Sequence, residues 1–165
     1  MANTLVVQCS FRLPDTSGSV YAEPAAINLQ SNDRYPNDVI VFADTSTRIG
    51  IGFQVRVPKN YVGTPVFIVE YSTVATSGNY DWEIDYRAIA DTESMDPSTD
   101  QENLRAVAAA PGTARLRAAV TLAATGGNFA ADDLVMGTLF RDGADADTIS
   151  GSLYVWGLYF SYADA

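Results

Sequence analysis

The sequence has no histidine, one cysteine and one lysine. Without histidine there is no Ser-His-Asp or Cys-His constellation and no imidazole-bearing metal centre. A lone thiol, Cys9, excludes an intrachain disulfide and the multi-cysteine sites of structural zinc. It sits in an alternating apolar stretch, where a buried, reduced thiol is expected. Cations are scarce: ten Lys plus Arg stand against twenty Asp plus Glu, a net charge of -10. Nucleic acids and anionic membrane surfaces both need clustered cations, so neither is expected as a partner. Nowhere do about eighteen apolar residues run together, so no helical membrane span is expected. Met1 to Thr4 carry no basic segment and Leu5-Val-Val7 is too short for a signal core, so no targeting segment is expected and synthesis in a cytoplasm fits.

What is present is enough for one full core. The 165 residues, 47% apolar and 18% charged, suit a single domain over 1–165. The dominant period is two. In 48–57, Ile49, Ile51, Phe53, Val55 and Val57 share a face opposite Arg48, Gly50, Gly52, Gln54 and Arg56, the pattern of a strand with one buried side. Pro58 ends it. In 79–90, Tyr80, Trp82, Ile84, Tyr86 and Ala88 oppose Asp81, Glu83, Asp85 and Arg87. In 113–122, Leu116, Ala118, Val120 and Leu122 oppose Arg115, Arg117, Ala119 and Thr121. Segments 38–42, 65–71, 134–140 and 153–162 are apolar on both sides and read as strands covered on both faces. In the last, Tyr154, Trp156, Leu158, Phe160 and Tyr162 are assigned one face, and Leu153, Val155 and Tyr159 the other.

With a first strand at 4–11, this makes about eight strands separated by Gly, Pro, Asn, Asp and Ser turns. Two antiparallel sheets packed as a jelly roll are the expected architecture, all-β throughout. Residues 101–110 are ambiguous. Ser98-Thr-Asp-Gln-Glu102 resembles a capping box, yet Leu104, Ala106 and Ala108 alternate, and the β context favours a strand. The stretch 12–36 is long for a connection, which means a functional arm or an unrecognised strand.

Three features bear on chemistry. Asp81, Glu83 and Asp85 fall on one strand face about 6.6 Å apart, a spacing compatible with inverting glycoside hydrolysis at ~6.5–9.5 Å. An acidic row on a half-solvated strand is the plainer reading, with Arg56, Arg87, Arg115 or Arg117 as cross-strand partners. Asp142, Asp145 and Asp147 in one short loop are weak calcium ligands, with Asp132 and Asp133 as neighbours; their order is not that of an EF-hand, and Asx-turns explain them more simply. No cofactor, metal or catalytic group is therefore assigned. The eighteen aromatic residues divide between core filling, an intersubunit contact and a stacking platform for sugar rings, the last built from Tyr71, Tyr80, Trp82, Tyr86, Trp156 and Tyr159.

Phe53-Gln-Val-Arg-Val-Pro-Lys-Asn-Tyr-Val-Gly-Thr-Pro65, Gly127-Asn-Phe-Ala-Ala-Asp-Asp133, Leu139-Phe-Arg-Asp-Gly-Ala-Asp145 and the ending from Tyr154-Val-Trp-Gly-Leu-Tyr-Phe to Ala165 resemble small jelly-roll structural proteins of tailed phages. The resemblance implies a non-enzymatic virion component on the capsid surface, a decoration or cement protein. It would self-associate, a trimer being favoured, and bind the major capsid protein across capsomers. The contact candidates are Pro14, Tyr21, Pro24, Tyr35, Pro36, Trp156 and Tyr162. The alternative is a carbohydrate-binding jelly-roll module for host-surface glycans, with a glycosidase using Glu83 or Glu70 a distant third.

Overall fold

Alternating apolar and polar side chains bury one face only if sheets stack, and the chain solves this with two. The computed structural model describes residues 4–12, 23–27 and 37–164. The strands are β1 (Thr4–Gln8), β2 (Ser10–Arg12), β3 (Glu23–Ile27), β4 (Asn37–Phe42), β5 (Arg48–Arg56), β6 (Tyr61–Thr73), β7 (Asn79–Ile89), β8 (Glu102–Ala109), β9 (Ala118–Ala123), β10 (Leu134–Asp142) and β11 (Leu153–Asp164). The first sheet runs β3-β4-β11-β6-β9, with β1 also paired to β11; the second runs β2-β5-β10-β7-β8. From β4 onward the chain changes sheet in a fixed order, giving 4-11-6-9 in one and 5-10-7-8 in the other. That is the double Greek key of a jelly roll, and every pairing is antiparallel.

The ambiguous segment is a strand. β8 pairs with β7 from Asn79↔Ala109 to Tyr86↔Glu102, so sheet pairing overrides the local capping-box signal. The long stretch 12–36 contains β3, which pairs with β4 at the edge of the first sheet. Pro24 lies in this edge strand, where a missing N–H does no harm. Pro14, Tyr21, Tyr35 and Pro36 lie outside the described residues.

Two strand limits differ from the sequence reading. β9 begins at Ala118, not Thr113, because Arg115 adopts a left-handed conformation (φ 62) within a turn closed by Leu116 N–H donating to Thr113 O. Leu116 is therefore 52% exposed instead of buried. β6 starts at Tyr61, inside the expected loop, and absorbs the positive φ of Gly63 and Thr64 through register shifts against β11.

The core is aromatic. Phe67 stands at its centre, 5.5 Å from both Phe53 and Phe160, while Tyr86 stacks on Phe129 at 5.1 Å. Phe42 and Tyr71 meet Trp82 edge-on. Cys9 is buried among them, and burial pushes its thiol pKa far up, which leaves it inert. Among the described residues, one charged side chain points inward. Arg141 is 1% exposed and bonds Asp147 through Nε (2.6 Å) and Nη2 (3.1 Å), and the carbonyls of Phe42, Ala43, Ile149 and Gly151. It ties the β4–β5 and β10–β11 connections into one end of the sandwich.

Candidate functional site

β11 carries the feature that matters most for the surface. Leu153 and Val155 point inward and Tyr154 outward. Val155 pairs with Tyr71 and Gly157 with the next residue back, Glu70, so Trp156 is an extra residue opposite none. Such a bulge shifts the side-chain phase. Leu158, Phe160 and Tyr162 then return to the core at 4% exposure or less, while Tyr154, Trp156 and Tyr159 stay on the outer face, partly exposed. The faces expected from strict alternation are thus corrected on both counts. Tyr159 belongs with Tyr154 and Trp156, and Tyr162 is buried with its hydroxyl against Asn60 Oδ1 (3.2 Å), which removes it as a contact residue of this surface. Gly157 was the available signal, since glycine inside a strand marks a bulge or a close approach. A Cβ there would lie 2.7 Å from the Tyr159 hydroxyl, so that ring folds back over the glycine.

Around Trp156 the face is shaped. Its indole Nε1 donates to Ser72 Oγ (3.1 Å), which fixes the ring plane. The turn before β9 brings Arg115 and Arg117 beside it. Ser72, Arg115, Arg117 and Trp156 line an open recess of ≈ 240 Å³. Arg115 is anchored through its amide to Thr73 O (2.6 Å), and Arg117 pairs with Glu70 on β6. The surface of the recess is mostly apolar, with the indole beside arginine side chains, and such a surface can stack a ring.

The rest of the expected sugar platform is absent from this face. Tyr71, Tyr80, Trp82 and Tyr86 are 0–3% exposed and form the core. Their alternation with charged residues gave them a buried face, and packing between the sheets used it.

The outer face of the second sheet carries the acidic row, and its partners are not those expected. Arg105 holds the fully buried carboxylate of Asp81 with both forks (3.0 and 2.6 Å) and reaches Asp145 (2.5 Å). Those hydrogen bonds to Asp81 push the Arg105 pKa up. Arg48 lies 3.6 Å above the Phe140 ring and bridges Glu83 (2.7 Å) and Asp85 (2.9 Å). The approach is off-axis, so the attraction is Coulombic more than a directed hydrogen bond. Burial raises the Glu83 pKa, and Arg48 opposes that rise. Arg56 and Arg87 turn instead to the carbonyls of Asp132 and Thr99. The strand register held the missed signal: Arg105 lies directly across from Glu83, within diagonal reach of Asp81.

The acidic loop is occupied by its own contacts. Asp147 serves Arg141, Asp145 serves Arg105, and Asp142 accepts the Ala144 N–H (2.9 Å) in an Asx-turn. Asp132 lies 3.9 Å from Lys59, and Asp133 accepts the Ala130 N–H. Among the described residues no three acidic or thiol groups converge as a metal site.

No protein-family model and no curated protein matches the sequence. Among solved structures, the chain is similar to the xylan-binding CBM22-1 domain of Paenibacillus barcinonensis Xyn10C, at 12% identity over 99% of this chain and 97% of that one, TM-score 0.45. It is similar to TmCBM27, a carbohydrate-binding module with specific mannan recognition, at 10% identity over 98% and 99%, TM-score 0.42. It also matches an arabinose-bound α-L-arabinofuranosidase, MgGH51, at 11% identity over 96% of this chain but only 23% of that one, TM-score 0.43. The jelly-roll assignment rests on the strand order, independently of these likenesses. No phage protein stands among these three.

Proposed function

We propose that the chain is a non-catalytic carbohydrate-binding jelly roll that holds a glycan against the outer face of its first sheet. The observation carrying this is the β11 bulge, which turns an indole out of the core and sets it, hydrogen-bonded to Ser72, beside an open, mostly apolar recess. Bulges re-aim side chains, and a tethered aromatic plane gives a sugar ring a rigid stacking surface. The carboxylates suited to hydrolysis are bound in ion pairs, Glu83 and Asp85 to Arg48, Asp81 to Arg105 and Glu70 to Arg117. The test is affinity electrophoresis through a panel of soluble plant and bacterial polysaccharides. Retention by at least one is expected, lost in Trp156→Ala with an unchanged unfolding midpoint. Absence of retention on the whole panel, or retention that survives the substitution, rejects the reading.

A second reading keeps the chain as a self-associating decoration protein on a phage capsid surface, contacting the major capsid protein. The observation favouring it is β1, which leaves Leu5 37% and Val6 54% exposed on the flank of the first sheet. Light scattering decides first, since this reading expects a stable oligomer, a trimer above all, and a monomer removes it.

A further inference from the structure

Trp156 and Tyr159 both face outward on β11, and a glycine stands between them. Gly157 pairs with Glu70 and Tyr159 with Ile68 on β6, so both share the outer face of the first sheet with the indole of the bulge. A Cβ on Gly157 would lie 2.7 Å from the Tyr159 hydroxyl, 2.8 Å from Cε2 and 2.9 Å from Cζ. These atoms are the far end of the tyrosine, so its ring leans back along the strand, over the glycine and toward Trp156. Side chains on one face of a strand ordinarily stand upright at every second residue, ~6.6 Å apart. Only the missing Cβ lets this ring lie down. We infer that Tyr159 is a second stacking position, so that the site holds a chain of at least two linked, uncharged sugar rings, with Gly157 setting that preference by laying the tyrosine flat. The inference deepens the glycan-binding reading and rests on it.

The surroundings fit a chain better than a lone sugar. The recess beside Trp156, ≈ 240 Å³, is below the ~300–1,000 Å³ of drug-sized sites and has room for about one ring. A longer glycan has to leave it across the sheet, and Tyr159 lies on that surface. The surface is suited to a neutral ligand: the recess is mostly apolar, and Arg117 and Glu70 are already paired with each other. What it offers is an aromatic plane for the C–H face of a ring.

The glycine also makes the idea testable without unfolding the protein. Its φ is not in the left-handed region, so alanine fits its backbone. The ring that a Cβ would strike is partly exposed and can swing into solvent. The experiment is isothermal titration of the full chain with β-1,4-linked gluco, manno, galacto and xylo oligosaccharides of one to four rings. In at least one series, affinity should rise about fivefold from one ring to two, the scale of a single aromatic contact. Gly157→Ala and Tyr159→Ala should each cut that step to below about twofold, the first by displacing the ring and the second by removing it. The double variant should match Tyr159→Ala alone, because the glycine acts through the ring above it. A further loss in the double variant overturns the positioning role of Gly157. Equal affinity at every length, or a step that survives the two single variants, overturns the chain inference while the glycan reading stands. No binding at any length in any series overturns both.

Discussion

The outer faces of the two sheets are built on opposite plans. On the second sheet, each carboxylate of the Asp81, Glu83 and Asp85 row is held by a guanidinium, Asp81 by Arg105 of the adjacent β8 and the other two by Arg48 of β5, which reaches across β10 packed on Phe140. On the first sheet, Tyr154, Trp156 and Tyr159 share a surface with Ile68, the small residues Ala119 and Ala123, and the ion pair of Arg117 with Glu70. Both faces alternate correctly with the core, so burial does not distinguish them. The difference lies in what remains unsatisfied. Charges on the second sheet find their partners within the molecule, which suits a solvent-facing wall. The first sheet leaves an aromatic plane with capacity to spare, as a binding surface requires.

The largest test of this contrast lies where self-satisfaction is most complete. Arg141→Met removes seven hydrogen bonds from the end of the sandwich and strands Asp147, whose side chain is 3% exposed. Breaking a buried pair by removing one partner costs about 3–5 kcal/mol. Urea unfolding should show that loss, with partial recovery in Arg141→Met/Asp147→Asn. Arg117→Gln on the open face should change stability by less than about 0.5 kcal/mol. Similar losses for the two single variants would erase the distinction between a knotted and an open cation.

A smaller effect is expected within the satisfied wall itself. Gly50 lies under the Phe140 ring, where a Cβ would come within 2.4 Å of Phe140 Cδ1 and 2.8 Å of the Leu139 carbonyl oxygen. Gly50→Ala must push the ring aside, and Arg48 is stacked on that ring. Overpacking of this kind costs about 1–3 kcal/mol. Equilibrium unfolding measures it. A neutral result would mean that the Arg48–Phe140–Gly50 stack is loose, leaving the second sheet as adaptable as the first.

The elements differ in how readily the sequence discloses them, for physical reasons. β5 and β7 are plain to see because one face of each is apolar and the other charged, so period two is visible in every residue. β11 is apolar on both faces, so alternation cannot fix its register, and Gly157 is the one local hint of where it bulges against β6. For the same reason Trp156, the centre of the candidate site, was legible as one aromatic among eighteen but not as one of those left on the outer face. Arg141 follows an apolar run, and its acceptors are main-chain carbonyls at Phe42, Ala43, Ile149 and Gly151. Backbone acceptors leave no trace in side-chain identity. Glu102 looked like the far end of a capping box because its true partners are distant in sequence.

Those partners supply the subtlest test. Glu102 accepts from Tyr86 Oη (2.5 Å), Thr125 N (3.0 Å), Thr125 Oγ1 (2.9 Å) and Asn128 Nδ2 (3.1 Å), clamping β8 to the β9–β10 connection. Burial acts to raise its pKa, but these hydrogen bonds together hold it below the ordinary carboxylate range. The folded state therefore binds fewer protons at Glu102 than the unfolded chain does, and this stabilisation is present above the unfolded value and lost as pH falls through the folded one. Glu83 on the satisfied wall has the opposite sign. Burial raises it despite Arg48, so its contribution is present below the unfolded value and lost as pH rises through the folded one. Urea midpoints measured from about pH 6 to about pH 3, across the carboxylate range, should then separate two variants. Glu102→Gln should flatten the acid-side loss of stability, and Glu83→Gln should steepen it. Each change should stay below about 1 kcal/mol, because both groups are only partly buried and solvent screens them. Parallel curves for the two variants would mean that neither carboxylate is set apart by its partners, and that the wall and the clamp are electrostatically the same.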